Sequence, residues 1–512
     1  MFLFSGWLDR RDRMDDFLTN EQAYNRLLDL VAGGLAVRTN SSLVREGEVF
    51  VALPGTTSGN DGSAYIPDAV ARGAAYVLAG PGAVLPPQTS SDGAPVRLIA
   101  HPDPRTALGE LANRRFGTRD RAMKLLAITG TNGKTTISYL IERLLAAAGL
   151  KAGVVGTISY RWPGFSLDAP LTTPGCWQLH ELLANMARAD VDVAVMEVSS
   201  HAIDQQRVAG LEFHTAVLTN VTQDHLDYHG DMETYYAVKS RLFTWGQGPK
   251  HSVLNCDDRY GRRLVRTLGP GAMSYGLGSD CLGTHPALKG ELLSCDSRGI
   301  KMTMRHGEKT FPVSSPLVGR HNAENLLAAV GAGLTLGLGC REFKSLADFS
   351  GVPGRLERVE NDRGLSIFVD YAHTPDALAS VLTTLRNLDF KRLITVFGCG
   401  GNRDKAKRPL MAQAVARMSD VCVLTSDNPR FENPADIIED VRPGLATARE
   451  ALVMEDRAEA IDAAVMLMRP GDCLLVAGKG HETYQEISGV RRPFSDVEQV
   501  RLALARRGER QA

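Results

Sequence analysis

Seven residues, Gly130-Thr131-Asn132-Gly133-Lys134-Thr135-Thr136, have the types and spacing of a phosphate-binding loop. The apolar stretch Leu125 to Ile128 leads into it, and a helical period leaves it, with Ile137, Leu140, Ile141, Leu144, Leu145 and Ala148 on one face. A glycine turn between strand and helix aims main-chain N–H groups at one point, and the positive end of the helix dipole points there too. The lysine adds a mobile charge for phosphate oxygens, and a threonine hydroxyl can hold magnesium. The expected ligand is a nucleoside triphosphate. The loop is a shortened variant, because the general pattern asks for a glycine five residues before Gly133, where Ile128 stands. The alternative is a plain glycine turn of an α/β domain.

A triphosphate site needs a metal site. Glu197, ending an apolar run, is a carboxylate candidate for magnesium, and His225 is a second ligand or an orienting group. Magnesium prefers oxygen and keeps several waters, so the histidine is the weaker candidate. The competing readings are a buried, hydrogen-bonded carboxylate for Glu197 and a structural histidine for His225; His229 has a weaker case still. Arg355 and Arg430 suit carboxylate or phosphate, because a guanidinium binds both in a bidentate fork. Either alone also reads as a surface or salt-bridge arginine. Lys239, within Tyr235-Tyr236-Ala237-Val238-Lys239-Ser240-Arg241, reads on residue type as a solvated helix lysine.

Parallel strands must position these groups. The apolar runs Val191–Val198, Leu365–Val369, Leu393–Phe397, Val421–Thr425 and Cys473–Ala477 read as strands covered on both faces. Polar clusters follow the strands. They are Ser199-Ser200-His201, Thr219-Asn220 with Asp224 to His229, Asp370-Tyr371-Ala372-His373, Gly398 to Arg403, Ser426 to Arg430, and Gly478 to Glu482. Ligands of open α/β sheets bind outside the carboxyl ends of strands, and six clusters at that end exceed chance. Strands alternating with helical periods give an α/β class with mostly parallel sheets.

A length of 512 residues suggests about three domains. The expected segments are 1–121, ending in the basic stretch Arg114 to Arg121; 122–350, carrying the phosphate loop; and 351–512, opening at Gly351-Val352-Pro353-Gly354. With 44% apolar residues each can bury a core, and a formal charge of −1 gives no electrostatic case for nucleic acid or anionic membrane. No apolar run is long enough to span a bilayer. Met1-Phe2-Leu3-Phe4 meets Asp9, Arg10, Arg11, Asp12 and Arg13 without a basic region before it, unlike a signal peptide. The eight scattered cysteines form no Cys-x-x-Cys pair, which argues against a metal cluster or disulfide framework and for a reducing cytoplasm.

Taken in order, Gly-Thr-Asn-Gly-Lys-Thr-Thr (130–136), Glu-Val-Ser-Ser-His (197–201), Asp-His-Leu-Asp-Tyr-His-Gly (224–230), Asp-Tyr-Ala-His-Thr-Pro-Asp (370–376), Gly-Cys-Gly-Gly-Asn-Arg-Asp (398–404) and Gly-Lys-Gly-His-Glu (478–482) form a specific set. The chain resembles the Mur ligases over nearly its whole length, and among them those that add the third amino acid in peptidoglycan synthesis. The resemblance implies an N-terminal domain for the UDP end of the substrate, a central ATPase and a C-terminal Rossmann-like domain for the incoming amino acid. It implies that ATP phosphorylates the D-glutamate γ-carboxylate of UDP-N-acetylmuramoyl-L-alanyl-D-glutamate. The amine of a diamino acid then attacks the acyl phosphate, with magnesium as cofactor. A cytoplasmic monomer is expected.

Carried over residue by residue, the resemblance assigns Gly130 to Thr136 to ATP, with Lys134 and Thr135 on phosphate and magnesium. It assigns Glu197 and His225 to metal, and Lys239 to carbamylation, which reverses the solvated reading. Thr172, Thr173, Ser199 and Arg207 are implied to hold the muramoyl peptide, and Ser41 the diphosphate. Asn322 and Asn325 are implied near adenine, with Arg355, Asp370 and His373 at phosphate and ribose. Asp427-Asn428-Pro429-Arg430 is the pattern of members that add meso-diaminopimelate. Arg430, helped by Arg403, is implied to grip the second carboxylate, and Gly478 with Glu482 the ammonium beside it. A site built for those groups disfavours lysine, which leaves them unpaired. The chain departs from the family at Asn40-Ser41-Ser42, where Asp-Ser-Arg is usual, and at Gly175, where glutamate is common. The rivals are the same ligase using L-lysine, a folylpolyglutamate-type ligase, and a catalytically silent nucleotide-binding scaffold. The last is expected to have lost Lys134, Glu197 or Lys239, and all three are present.

Overall fold

The computed structural model describes residues 18–55, 61–86, 95–278, 281 and 286–509. Residues 1–17, with the apolar start and the charged stretch Asp9 to Arg13, lie outside the described residues. The chain divides into two compact units. One comprises Met1–Lys134, Gly149–Leu254 and Asp258–Ala272; the other Thr135–Ala148, Asn255–Asp257 and Met273–Ala512.

In the first unit the strands Val37–Arg38, Val49–Val51, Tyr76–Ala79 and Arg97–Ala100 form a parallel sheet in that order. The helices Asn20–Ala32 and Pro104–Phe116 bury Leu27, Val31, Leu108 and Leu111 in its core. Local chemistry sets their ends. Thr19 and Gln22 form a capping box, and Asp103 caps a helix whose first residue is proline. Gly117, in the left-handed region, stops that helix. The same unit holds Lys124–Thr129 between Thr215–Leu218 and Val193–Glu197, all parallel. Every residue of Val193–Glu197 is buried, as a strand covered on both faces requires.

The second unit contains residues 135–148, most of them in the helix Lys134–Ala147, an antiparallel meander (Leu288–Asp296, Gly299–His306, Lys309–Ser315) and the helix Arg320–Thr335. It also holds a six-stranded sheet in the order Glu357–Arg358, Ser366–Asp370, Cys473–Ala477, Leu393–Phe397, Val421–Leu424, Ala451–Val453. All neighbours in it are parallel except the first pair. The expected α/β class with mostly parallel sheets is the observed one.

Two expectations need correction. The helix after the phosphate loop ends at Ala147, and Ala148 is only half-buried beyond it, because the following Gly149 adopts a left-handed conformation. The cysteines are not all unpaired. Cys256 and Cys281 form a disulfide with Cα atoms 5.7 Å apart, brought together by tertiary structure across 25 residues. Cys176, Cys399, Cys422 and Cys473 are free and buried, as small hydrophobes. No helix among the described residues is long and apolar enough to cross a membrane.

Candidate functional site

The first cluster forms at the carboxyl edge of three strands. Ile128 lies level with Glu197, and Thr129 with Leu218, so the phosphate loop, Glu197 and Thr219-Asn220 leave the sheet together. Gly130 has φ +145°, and a Cβ there would collide with Thr219 Oγ1, so the position requires glycine. Thr131 N donates to Asn220 O (2.8 Å), Asn132 N to Asn220 Oδ1 (3.0 Å) and Thr219 Oγ1 to Asn132 O (2.6 Å). The loop is thus held by the neighbouring strand end. Thr135 is buried and Thr136 half-buried in the first turn of the helix that begins at Lys134.

Two lysines converge on one carbonyl. Lys134 Nζ donates to Gly130 O and Thr131 O at 2.9 Å each, and Lys239 Nζ donates to Gly130 O at 3.0 Å. Lys239, in the helix Met232–Thr244, is buried rather than solvated, and its Nζ lies 4.6 Å from the centre of the Tyr235 ring. Burial, and then the charge of Lys134, push its pKa well below the usual lysine value. Tyr235 OH lies 3.2 Å from Thr131 Oγ1, a contact across 104 residues that no motif announces.

Glu197 is buried and its carboxylate accepts from Thr157 N (3.0 Å) and Thr157 Oγ1 (2.9 Å). Gly156 makes room for it, since a Cβ there would collide with Glu197 Oε1. Thr157 Oγ1 lies 3.1 Å from Thr172 Oγ1; Thr173 Oγ1 donates to Glu197 O at 2.8 Å. Ser199 N donates to Thr173 Oγ1 (3.2 Å), and Arg207 Nη1 to Thr173 O (2.8 Å). The structure therefore gathers Thr172, Thr173, Glu197, Ser199 and Arg207 into one hydrogen-bonded set, with Thr157 as the member that sequence reasoning missed. His225 stands apart from this set. It is exposed, with φ +53°, and its ring packs 4.8 Å from that of His201. His229 is buried, with Nε2 3.0 Å from Ser200 Oγ.

Beside the set lies a cavity of about 440 Å³ lined in part by Arg38, Asn40, Arg105, Gly175, Trp177 and Arg207. Arg38 is neutralised by Glu48 through two hydrogen bonds, whereas Arg105 donates to the carbonyls of Pro54 and Gln205. Burial pushes the pKa of Arg105 and Arg207 below the usual arginine value. Ser41 is buried in the 3₁₀ turn Ser41–Leu43 and does not line the cavity; Asn40, which caps that turn, does. Gly175 caps the helix Cys176–Arg188 without a side-chain bond.

In the second unit, Asn322 and Asn325 are buried in the helix Arg320–Thr335, with Asn325 Nδ2 donating to Asn322 Oδ1 at 2.9 Å. Asp370 ends its strand and accepts from Leu356 N (2.7 Å) and Ala372 N (2.8 Å). Burial raises its pKa. Arg355 lies over the Tyr371 ring, 5.3 Å from its centre. Its Nε is buried and has no hydrogen-bond partner among the described residues, a donor that fits an anionic ligand such as a phosphate group. His373 is exposed, with Nδ1 2.8 Å from Tyr371 O.

The other cluster of this unit gathers around a buried lysine. Lys479 Nζ donates to Asn428 Oδ1 (3.0 Å) and Glu482 Oε2 (3.1 Å) and lies 3.8 Å from Asp427 Oδ1. Asn428 Nδ2 donates to Glu482 Oε2 at 2.9 Å. Gly478, with φ +120°, leaves no room for a Cβ beside Asp427 Oδ2. Arg430 adopts φ +52°, donates from Nη1 to Gly401 O (2.8 Å) and is held by main-chain bonds to Glu486 and Ser488. Arg403 is exposed on the adjoining loop. Sequence reasoning named Asp427, Asn428, Gly478 and Glu482 and passed over Lys479, although its motif was in view. Among the described residues no group of three or more His, Cys, Asp or Glu is arranged for a metal. The carboxylate of Glu197 and the hydroxyl of Thr135 are oxygen donors of the kind magnesium takes with water and phosphate oxygens.

Three family profiles match the chain in order. They are described as Mur ligase family, catalytic domain (residues 36–116), Mur ligase middle domain (128–333) and Mur ligase, glutamate ligase domain (354–480). A protein of Lawsonia intracellularis named UDP-N-acetylmuramoyl-L-alanyl-D-glutamate–2,6-diaminopimelate ligase is 50% identical over 466 residues, covering 91% of this chain and 95% of that one. The chain belongs to the Mur ligase family. A ligase of the same name from Synechococcus elongatus is 43% identical over 489 residues, covering 95% of this chain and 96% of its own length. A solved structure of a ligase so named superposes with a TM-score of 0.68 at 34% identity, covering 92% of this chain and 95% of that chain. Within this Mur ligase the profiles span the phosphate loop, Glu197, Lys239 and, of the Lys479 cluster, Asp427, Asn428, Gly478 and Lys479.

Proposed function

We propose that the chain is an ATP-dependent ligase that adds meso-2,6-diaminopimelate to the D-glutamate γ-carboxylate of UDP-N-acetylmuramoyl-L-alanyl-D-glutamate, in peptidoglycan precursor synthesis. The observation that carries the reading is the 50% identity, over 91% of this chain and 95% of the other, to a protein named as that diaminopimelate ligase. Arg430, suited to a second carboxylate, supports the choice of diamino acid.

Each residue then has a duty. The main-chain amides of 130–136 and Lys134 hold the phosphates of ATP. Thr135, Glu197 and, more weakly, His225 offer donors for magnesium, which supplies charge neutralisation at the transferring phosphoryl group. Burial lowers the pKa of Lys239 and so favours its neutral amine, the form that adds to carbon dioxide; the product is a carbamate anion and a proton. Thr172, Thr173, Ser199 and Arg207 position the peptide, and Ser41 and the cavity beside them the nucleotide end. Asn322, Asn325, Arg355, Asp370 and His373 serve the adenosine and phosphates. The γ-carboxylate oxygen attacks the γ-phosphorus of ATP, ADP leaves, and the acyl phosphate gains a leaving group that a carboxylate lacks. The amine of diaminopimelate then adds to the acyl carbon, loses a proton, and phosphate leaves. Excluding water keeps the acyl phosphate from hydrolysis.

The test is phosphate release with the UDP-dipeptide, ATP and magnesium, giving meso-diaminopimelate or L-lysine in parallel. Release with diaminopimelate alone, with the tripeptide product by mass, supports the reading. Release with lysine keeps the ligase and overturns the role of Arg430. Release with neither sinks the proposal.

A further inference from the structure

Lys479 is fully buried, and its nitrogen meets Asn428 Oδ1, Glu482 Oε2 and, at longer range, Asp427 Oδ1, with the centre of the Tyr484 ring 5.7 Å away. Burying an ammonium is costly, and a buried ion pair is a poor device for stability alone, since apolar side chains of the same volume serve as well. The partners show what the lysine does. Asn428 Oδ1 accepts from both Lys479 Nζ and Glu486 N (2.9 Å), so the amide can be oriented only one way. That orientation turns Nδ2 toward Glu482, where it donates to Oε2. Both of these hydrogen bonds to the Glu482 carboxylate fall on Oε2. The frame is rigid. Arg457, itself fully buried and paired with Asp496 at 2.8 Å, donates to Ala477 O (2.9 Å) and Ser426 O (3.4 Å), the residues before Gly478 and Asp427.

We propose that Lys479 is a positioning residue: it fixes the Asn428 amide and pins Glu482 through Oε2, leaving Oε1 as the oxygen that takes the ammonium of the diamino acid. Asn428 then acts first within the wall of the site, where its Oδ1 and one N–H of its Nδ2 are engaged. The proposal rests on the diaminopimelate reading above.

The experiment is steady-state kinetics of the full chain and its Lys479→Met, Lys479→Arg and Asn428→Asp variants, varying each substrate in turn. Lys479→Met is expected to raise KM for meso-diaminopimelate by about 10- to 100-fold while KM for ATP and for the UDP-dipeptide stays within about threefold; Lys479→Arg recovers part of the loss. Asn428→Asp keeps both acceptors but sets a carboxylate oxygen against Glu482 Oε2. Its KM for diaminopimelate should be raised near neutral pH and should fall as acidification lets the two carboxylates share a proton. This reversal does not come from a merely structural residue, and it keeps the test open if Lys479→Met fails to fold. A normal KM for diaminopimelate in folded Lys479→Met overturns the proposal. So does a parallel rise in all three KM values, or a penalty in Asn428→Asp that is independent of pH. If the unaltered enzyme releases no phosphate with diaminopimelate, the functional reading fails and this inference falls with it.

Discussion

Two buried lysines stand at the carboxyl ends of parallel strands in this chain, and they are buried on opposite terms. Lys239 donates to a main-chain carbonyl that Lys134 also occupies, and burial depresses its basicity. Lys479 is surrounded by an amide oxygen and two carboxylates. The first arrangement disfavours an ammonium and suits chemistry that consumes a neutral amine or attracts anions. The second is preorganised around the cation. Burial alone therefore does not tell what a lysine is for; the charge of its neighbours does.

The largest expected effect separates the two lysines that meet at the Gly130 carbonyl. Lys134→Ala and Lys239→Ala should each lower phosphate release on the order of 10³-fold. Formate or acetate should restore part of the activity in the Lys239 variant only, because a small carboxylate can replace a carbamate but not an ammonium. An unimpaired Lys239 variant would remove the carbamate from the comparison. Next comes Arg430→Ala, which should raise KM for diaminopimelate on the order of 10²-fold with ATP binding unchanged; equal losses of both would show that Arg430 does not belong to the diamino-acid site.

Stability sharpens the contrast further. In carbon-dioxide-free buffer near neutral pH, Lys239→Met should raise the unfolding free energy by roughly 1–3 kcal/mol, as an unfavourable buried amine is removed. Lys479→Met should lower it by roughly 2–4 kcal/mol, leaving carboxylates uncompensated. Denaturant unfolding of both variants decides this, and changes of the same sign would refute it. The Lys239 pKa is depressed in the fold, so the unfolded chain binds more protons between that value and the ordinary 10.5. Stability from this group rises with pH through that window, and Lys239→Met should flatten the rise.

The smallest effect lies outside both clusters. Burial pushes His180 from 6.5 down to about 4, while Nε2 faces Ala209 O at 2.9 Å and Nδ1 faces Thr118 Oγ1 at 2.7 Å. The folded form holds the neutral ring, so its contribution is complete above about 6.5 and is lost as pH falls toward about 4. Thermal unfolding of His180→Gln should show a shallower acid decline, by about 1–2 kcal/mol between those values.

What could be read from the sequence follows a physical line. Apolar runs reported the strands closely, because a strand buried on both faces must be continuously apolar: Cys473–Ala477 and Leu393–Phe397 match residue for residue, and Val193–Glu197 falls inside its expected run. The phosphate loop was legible because its function lies in local backbone geometry. Contacts made across the chain were not. Nothing near Thr157 announces that it holds Glu197, 40 residues on, and no spacing signalled the Cys256–Cys281 bond. The burial of Lys239 and the internal use of the Asn428 amide are likewise set by distant partners. His225 was legible from its motif; the packing of its ring against His201 was not.

Arg457 carries one more consequence. Asp496, its partner, is the first residue of the helix Asp496–Glu509. Through that single guanidinium the helix is tethered to the main chain just before the loops that begin at Asp427 and Gly478. An insertion or register slip in this helix would travel as a displacement of the loops themselves, a route from a distant element to the proposed diamino-acid site that does not touch its ligand.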